Sequence, residues 1–124
     1  MAFEIVSATV TTTGVAGSAT GSATLTLRGY VEWVYLDFHA SAPATTDTTI
    51  AYAATPPGGN ILAVANSATD ALKFPRATAV DNANSAITNS FTRFPVWGDV
   101  TVSLAQSDAL APALTIYFGI SRGL

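Results

Sequence analysis

Alternation of apolar and polar residues with a period of two is the feature that most constrains this chain. It is clearest between Ala19 and Arg28, where Ala23, Leu25 and Leu27 alternate with threonines. A period of two places successive side chains on opposite faces of a β-strand, whereas a helix needs a period near 3.6. Glycine and proline interrupt such runs about every 8–12 residues, which is typical of sandwiches and barrels. The pattern therefore predicts an all-β fold.

The runs between these interruptions predict about eight or nine strands. The predicted strands are Phe3–Thr13, Ala19–Arg28, Tyr30–His39, Asp47–Ala54, Ile61–Ala65, Lys73–Val80, Phe91–Val96, Val100–Leu104 and Leu114–Phe118. We expect Gly29 to break the chain, and the segments 55–60 and 97–99 to form turns, because glycine and proline stand in or beside them. The segment 81–89 is rich in Asn and Ser and is expected to be an exposed loop.

The length of 124 residues predicts a single domain, residues 1–124, with two sheets packed face to face. Both faces of the strand Tyr30–His39 are largely apolar, so we expect it to be central or covered on its outer side by a partner. The predicted core consists of Leu25, Leu27, Val31, Trp33, Tyr35, Ile50, Leu62, Val100, Val102, Leu104, Leu114, Ile116 and Phe118.

The content of charged residues is low, at 10% of the chain against about 25% in ordinary soluble domains. Because the five basic residues are scattered and the net charge is −3, we expect no nucleic-acid partner. No apolar run approaches the roughly 20 residues of a membrane helix, and the first residues lack a basic segment followed by an apolar one. We therefore expect no membrane partner and no signal peptide, and synthesis in the cytoplasm.

Few residues suggest catalysis or metal binding. The chain has no cysteine, which excludes disulfides, thiolate metal sites and cysteine nucleophiles. Asp37 precedes the one histidine, His39, by two residues and could orient it as a general base, although a polar pair at a strand end is the favoured interpretation. The eight acids show no metal-ligand spacing, and a glycosidase pair among them stays open. We expect no enzyme activity, no catalytic or metal site, and no cofactor.

The aromatic residues indicate binding more than chemistry. Trp33 and Tyr35 share a predicted strand, and the core is the favoured position for Trp33, with a partner interface as the alternative. Trp97 stands in a predicted turn beside Gly98, where we expect more exposure than for Trp33, and the core and a partner interface are equally favoured for it. An aromatic platform for sugars is a further alternative, but only Asn89 and Asp99 are near in sequence to supply hydrogen bonds.

Several segments, taken in order, are similar to a family of tailed-bacteriophage capsid decoration (cement) or minor head proteins. The segment 29–37, GYVEWVYLD, resembles that family's glycine-aromatic-aliphatic-glutamate strand, and Asp47–Ile50 resembles its next strand. Phe74-Pro75-Arg76 followed by Asp81 resembles its aromatic-Pro-Arg segment. The segment 94–106, FPVWGDVTVSLAQ, resembles its closing Pro-Val, glycine, alternating-strand and Ala-Gln segment, and Leu114–Phe118 its last strand.

The resemblance implies a jelly-roll-like β-sandwich without enzyme activity that binds the outer surface of a capsid as a dimer or trimer. The expected partners are the major capsid protein and further copies of the chain, and the expected location is the virion surface after assembly in the host cytoplasm. A carbohydrate- or receptor-binding β-module of a phage tail or fibre is the alternative, and a small hydrolase is a third. We expect the partner contacts to come from Phe3, Ile5, Arg76, Phe91, Arg93, Phe94 and Trp97.

Overall fold

The computed structural model of the protein describes residues 2–52 and 59–122, and its regular elements in these ranges are all strands. They are β1 (Ala2–Val10), β2 (Ala19–Phe38), β3 (Asp47–Tyr52), β4 (Gly59–Val64), β5 (Ala71–Lys73), β6 (Ala77–Val80), β7 (Ala86–Thr92), β8 (Phe94–Ser107) and β9 (Leu114–Arg122). The described residues contain no helix able to span a membrane. The all-β prediction is confirmed.

Seven of these strands form a β-sandwich in which every pairing is antiparallel. The first sheet has the order β1-β9-β2-β5, and the second has the order β2-β8-β3-β4. Strand β2 belongs to both sheets. Its residues 19–31 pair with β8 in the second sheet, and its residues 30–38 pair with β9 in the first. The connectivity is that of a jelly roll in which one long strand replaces the two consecutive strands that usually cross between the sheets.

The length of β2 explains how one strand serves two sheets. A straight strand of 20 residues would extend about 65 Å, while a domain of this size has a radius of gyration near 14 Å. The strand must therefore bend, and it does so around Gly29, whose φ is +127°. A Cβ atom at this position would also approach the carbonyl oxygen of Ser121 too closely. Gly29 thus bends β2 and does not break it, which corrects the sequence prediction.

The core lies between the two sheets and is built from the inner face of every strand of the sandwich except β5. Val100, Val102 and Leu104 of β8 face Leu114, Ile116 and Phe118 of β9 across it, all at 2% exposure or less. Ile50 and Tyr52 of β3 join them. Thr-rich strands supply this core because each alternating apolar residue points inward. The predicted core is confirmed for most of its members, with Leu25 and Leu62 half-buried at its margin.

A β-bulge at Glu32 changes which side chains of β2 point inward. Val31 pairs with Ile120 and Trp33 with Gly119, so Glu32 is an extra residue without a partner in β9. The inward set is consequently Leu27 and Val31 before the bulge, and then Val34, Leu36 and Phe38 after it. A bulge shifts the alternation by one residue, so Trp33 and Tyr35 turn to the outer face. Their predicted place in the core is wrong.

Three further segments differ from the prediction or lie outside it. Residues 97–99 do not turn the chain, because β8 runs through them while pairing with β2. The segment 81–89 is a loop only up to Ser85, where Asp81 accepts hydrogen bonds from the N–H groups of Ala83 and Ser85 and closes a turn. The predicted strand end at residues 53–54 and most of the predicted turn 55–60 fall outside the described residues.

Strands β6 and β7 form a separate two-stranded hairpin, which we call the arm (residues 77–92). It is inserted in the chain between β5 and β8. These two strands pair with successive parts of the same edge of β2, and the arm begins and ends where one partner follows the other. The arm therefore leaves the sandwich beside the bulge at Glu32. Most of β7 is exposed, which is unusual for a strand that carries Ile87 and Phe91.

Candidate interaction surfaces

The outer face of the first sheet is a continuous apolar and aromatic surface, which we call the aromatic face. It consists of Phe3, Ile5, Trp33, Tyr35, Leu72, Phe74 and Tyr117. Six of them, all except Phe3, line an open groove of about 500 Å³. Phe3, Ile5, Leu72 and Phe74 are between 51% and 65% exposed. Since the inner face of this sheet already covers the core, the sheet is apolar on both sides.

Trp33 owes its position to a glycine in the neighbouring strand. Gly119 lies directly opposite Trp33 in the pairing of β2 with β9, and a Cβ atom there would overlap the indole ring. The absent side chain allows the indole to lie flat against the backbone of β9. Ile5 is the partner of Gly119 on its other side, so the three residues form one row across β1, β9 and β2.

The adjacent row extends the same apolar surface. Tyr117 lies opposite Tyr35, with ring centroids 6.3 Å apart at an angle of 44°. Leu72 of the short strand β5 lies opposite Tyr35 on its other side. Cross-strand pairs of this kind stabilise the sheet locally. The rows therefore hold the aromatic side chains in a fixed arrangement before any partner binds.

Glu32 is the centre of a small polar cluster beside the aromatic face. Its carboxylate accepts a hydrogen bond from Arg93 at 2.8 Å and another from the hydroxyl of Ser121, and Arg76 lies 3.9 Å away. Arg76 also donates to the backbone oxygen of Glu32 at 3.0 Å. The guanidinium of Arg93 stacks over the ring of Tyr30 at 4.2 Å. Both ends of the arm are thereby fastened to the bulge of β2.

The electrostatics of this cluster keep Glu32 ionised. The hydrogen bond from Ser121 lowers the pKa of Glu32, and the hydrogen bond and positive charge of Arg93 and the charge of Arg76 lower it further, while burial opposes them. The side chain of Glu32 is 18% exposed, so its partners are only partly screened by water. Glu32 is consequently charged at neutral pH, and its interactions with Arg76 and Arg93 at the base of the arm are fully formed.

The arm carries a second exposed apolar set. Val80, Ile87 and Phe91 are 51%, 44% and 64% exposed. An isolated two-stranded hairpin is marginally stable in water, so a hairpin with uncovered apolar residues depends on its anchorage or on a partner. Here the anchorage is the Glu32 cluster at its base.

The structure distributes the seven predicted contact residues over five places. Phe3 and Ile5 lie on the aromatic face, and Phe91 on the arm. Arg76 and Arg93 meet at Glu32, so their guanidinium groups are engaged within the chain. Phe94 packs against the core. Trp97 is 70% exposed on the outer face of the second sheet, where Arg28 stacks on it at 5.1 Å.

Five residues of the aromatic face were absent from the predicted contacts: Trp33, Tyr35, Leu72, Phe74 and Tyr117. Two signals in the sequence pointed to them. Both faces of the strand Tyr30–His39 are apolar, and Tyr117 alternates with the buried Ile116 and Phe118. What prevented the assignment was the bulge at Glu32, since the regular alternation places Trp33 beside Val31.

The predicted His39 and Asp37 pair has no close contact in the structure. Asp37 is exposed, and the Nδ1 atom of His39 accepts a hydrogen bond from the N–H of Ser41 at 3.0 Å. Within residues 2–52 and 59–122, no three His, Asp or Glu side chains are grouped closely enough to hold a metal ion.

Comparisons of the chain with protein-family models, with curated proteins and with solved structures found no match.

Proposed function

We propose that this protein is a structural subunit that docks its aromatic face onto a larger protein assembly, and that the assembly is the outer surface of a phage capsid. In this proposal it is a decoration protein that stabilises the shell, associates with copies of itself, and catalyses no reaction. The observation that carries the proposal is the exposed aromatic face on a sheet whose other side is already packed.

The size of this face supports a protein partner. A fully exposed aromatic side chain presents roughly 150–250 Å², so the seven residues together offer on the order of 500 Å² of apolar surface. The largest apolar patch on a typical monomeric protein is about 300–600 Å² and is often functional, so the aromatic face has the size of such a binding patch. A standard interface uses about 800 Å² from each partner, and the neighbouring arm extends the available surface toward that value.

The composition of the remaining surface fits a lattice-bound subunit. Threonine, serine and alanine provide most of its polarity, and such groups lose less on desolvation than charged groups do. A subunit that binds a repeating shell needs only moderate affinity at each contact, because linked copies bind with higher avidity. Jelly rolls occur in viral capsid proteins and in lectins, so the fold is compatible with this role without selecting it.

A carbohydrate-binding module of a phage tail or fibre is the second candidate, and the aromatic rings of Trp33, Tyr35 and Tyr117 on one exposed face favour it. Sugar sites combine such rings with carboxylates or amides that accept hydrogen bonds from hydroxyl groups. The residues that line the groove include neither. The groove therefore fits an apolar protein surface better than it fits a glycan.

The proposal is tested by sedimenting the purified protein with undecorated capsids of the phage that encodes it. We expect co-sedimentation at a fixed ratio to the major capsid protein. The double variant Leu72→Glu, Phe74→Glu should remain folded, because both side chains are more than half exposed, and should lose binding at least tenfold. Val15→Glu is the matched control, since Val15 is 75% exposed in the loop between β1 and β2 and does not belong to the aromatic face.

Two results would contradict the proposal. One is a wild-type protein that stays in the supernatant, and the other is a Leu72→Glu, Phe74→Glu variant that binds as well as Val15→Glu does. Either would remove the aromatic face as a capsid contact, and binding of the wild-type protein to an immobilised glycan panel would then support the second candidate.

A further inference from the structure

The edges of the sandwich differ in how well they are protected against pairing with another strand. In the described part of the chain the sandwich ends at β1, β4 and β5 and at the first half of β2, residues 19–29. The start of that half is covered by the segment 11–13, where Thr13 bridges to Thr20 and Thr11 lies against Gly21. Strand β5 has three residues and is followed closely by Pro75, and β4 is interrupted by a bulge in its pairing with β3. Short strands, prolines and bulges are the devices by which proteins block edge pairing.

Strand β1 carries none of these devices. Its nine residues pair with β9 in unbroken register, and it contains neither proline nor lysine. Half of the backbone N–H and C=O groups of such a strand point away from the sheet and are available to another strand. An exposed, regular edge of this length is a site of strand addition.

The side chains of β1 indicate that a second copy of this chain is the partner. Phe3 and Ile5 are 63% and 65% exposed on the outer face, and Ser7 and Thr9 continue that row without charge. The one charged residue, Glu4, is paired with Arg122 at 2.8 Å, so two copies of β1 meet without an uncompensated charge. This edge therefore has no unpaired charge that would attract a partner of the opposite charge.

We propose that two copies of the protein associate through their β1 strands, antiparallel to each other about a twofold axis. The pairing joins two four-stranded sheets into one sheet of eight strands, with the order β5-β2-β9-β1 repeated in reverse in the second copy. Because the twofold axis is perpendicular to the sheet, both aromatic faces lie on the same side. The dimer thus presents one continuous docking surface.

The number of hydrogen bonds available is sufficient for a stable interface. An antiparallel pair of nine-residue strands extends about 30 Å and forms roughly one main-chain hydrogen bond for each residue, whereas typical interfaces contain about ten direct hydrogen bonds. Phe3 and Ile5 of both copies add apolar contacts beside the axis. The inference rests on the proposed function only in that both include self-association, and its test needs no capsid.

The first test is the solution mass, measured by light scattering at tens of micromolar protein. We expect a dimer, and we expect Ile5→Lys to halve the mass, because a lysine at an exposed edge opposes pairing. Val15→Lys should remain dimeric. The variant Leu72→Glu, Phe74→Glu should also remain dimeric while losing capsid binding, which separates failure of this inference from failure of the proposed function.

The second test uses the absence of cysteine from the chain. Single cysteines at positions 3, 5, 7 and 9 are introduced one at a time and oxidised, with Ser103→Cys on the second sheet as the control. Cross-linked dimer should form most at the position nearest the twofold axis, decrease toward the other positions of β1, and be absent for Ser103→Cys. A wild-type monomer or trimer, or a dimer that cross-links at none of the four positions, would overturn the inference.

Discussion

The two sheets of this sandwich have similar inner faces and very different outer faces. The outer face of the first sheet is the aromatic face. Apart from Trp97 and Arg28, which stack on each other, the outer face of the second sheet is built from small and polar residues in register across four strands: Ser22, Thr24, Thr26, Thr49, Ala51, Ala63, Asp99, Thr101 and Ser103. Its side-chain hydrogen bonds join residues directly opposite each other on neighbouring strands, as between Thr24 and Thr101 at 3.1 Å and from Thr26 to Asp99 at 2.8 Å.

This difference separates what the fold needs from what the function needs. Either outer face is compatible with the same core, because side chains on opposite faces of a strand do not share neighbours. Threonine and serine on the second sheet satisfy strand propensity and remain soluble at little energetic cost. Apolar side chains on the first sheet give the isolated subunit no comparable advantage, so their presence favours a partner. Substitutions on the two faces should therefore have different consequences.

The largest expected effect contrasts two adjacent residues of β9. Phe118 is fully buried, and Phe118→Ala should lower the free energy of unfolding by about 3–5 kcal/mol, because it leaves a cavity in the core. Tyr117→Ala, on the aromatic face, should lower it by only about 1 kcal/mol while reducing capsid binding. Urea unfolding measures both values. Equal losses of stability would show that the aromatic face is part of the fold's own packing.

Gly119→Ala should have the next largest effect. The added methyl group would overlap the indole of Trp33, which must move off the strand, and such overpacking costs about 1–3 kcal/mol. Tryptophan fluorescence should report a more solvated Trp33, and urea unfolding the loss of stability. Thr24→Val serves as the control on the opposite outer face. An unchanged emission spectrum in Gly119→Ala would mean that Trp33 does not depend on this glycine for its position.

Glu32→Gln should destabilise the protein by about 1–2 kcal/mol at pH 7, because Arg93 and Arg76 lose their charged partner. The folded-state pKa of Glu32 lies below its ordinary value of about 4.5, so its contribution is complete above that pH. The contribution decreases as the pH falls through the lowered pKa, where the carboxylate becomes protonated in the folded state as well. The stability difference between the two proteins should thus be constant near neutrality and vanish in acid.

The control for this prediction is Glu4→Gln, which breaks the ion pair with Arg122. Both side chains of that pair are about half exposed, so no measurable change in stability is expected at any pH. Urea unfolding of the wild-type protein and both variants between pH 3 and pH 8 provides the comparison. A pH-independent difference for Glu32→Gln would assign its effect to packing and not to charge.

The smallest effect is expected on the second outer face. Thr24→Val removes one exposed hydrogen bond with Thr101 and should change stability by less than about 0.5 kcal/mol, with capsid binding unchanged. Calorimetry and the sedimentation assay provide the two measurements. Reduced binding in this variant would place the docking surface on both sheets and end the contrast between them.

Most of the strand positions could be predicted from the sequence because they depend on local alternation. Leu114 to Phe118, Val100 to Leu104 and Thr48 to Tyr52 point inward and outward as their pattern predicts. The arm was missed because β7, rich in Asn, Ser and Thr, becomes a strand only through its pairing with β6. Phe3 and Ile5 were the part of the aromatic face that the sequence placed among the contacts.

The sequence by itself determined the all-β class, the apolar residues that alternate inward on β3, β8 and β9, and the low charge of the surface, since each follows from composition or from neighbours along the chain. Tertiary structure alone decided the orientation of Trp33 and Tyr35 and the union of Glu32 with Arg76 and Arg93. A bulge forms where a strand must match partners that are distant in sequence. A single extra residue there exchanges the two faces of everything that follows.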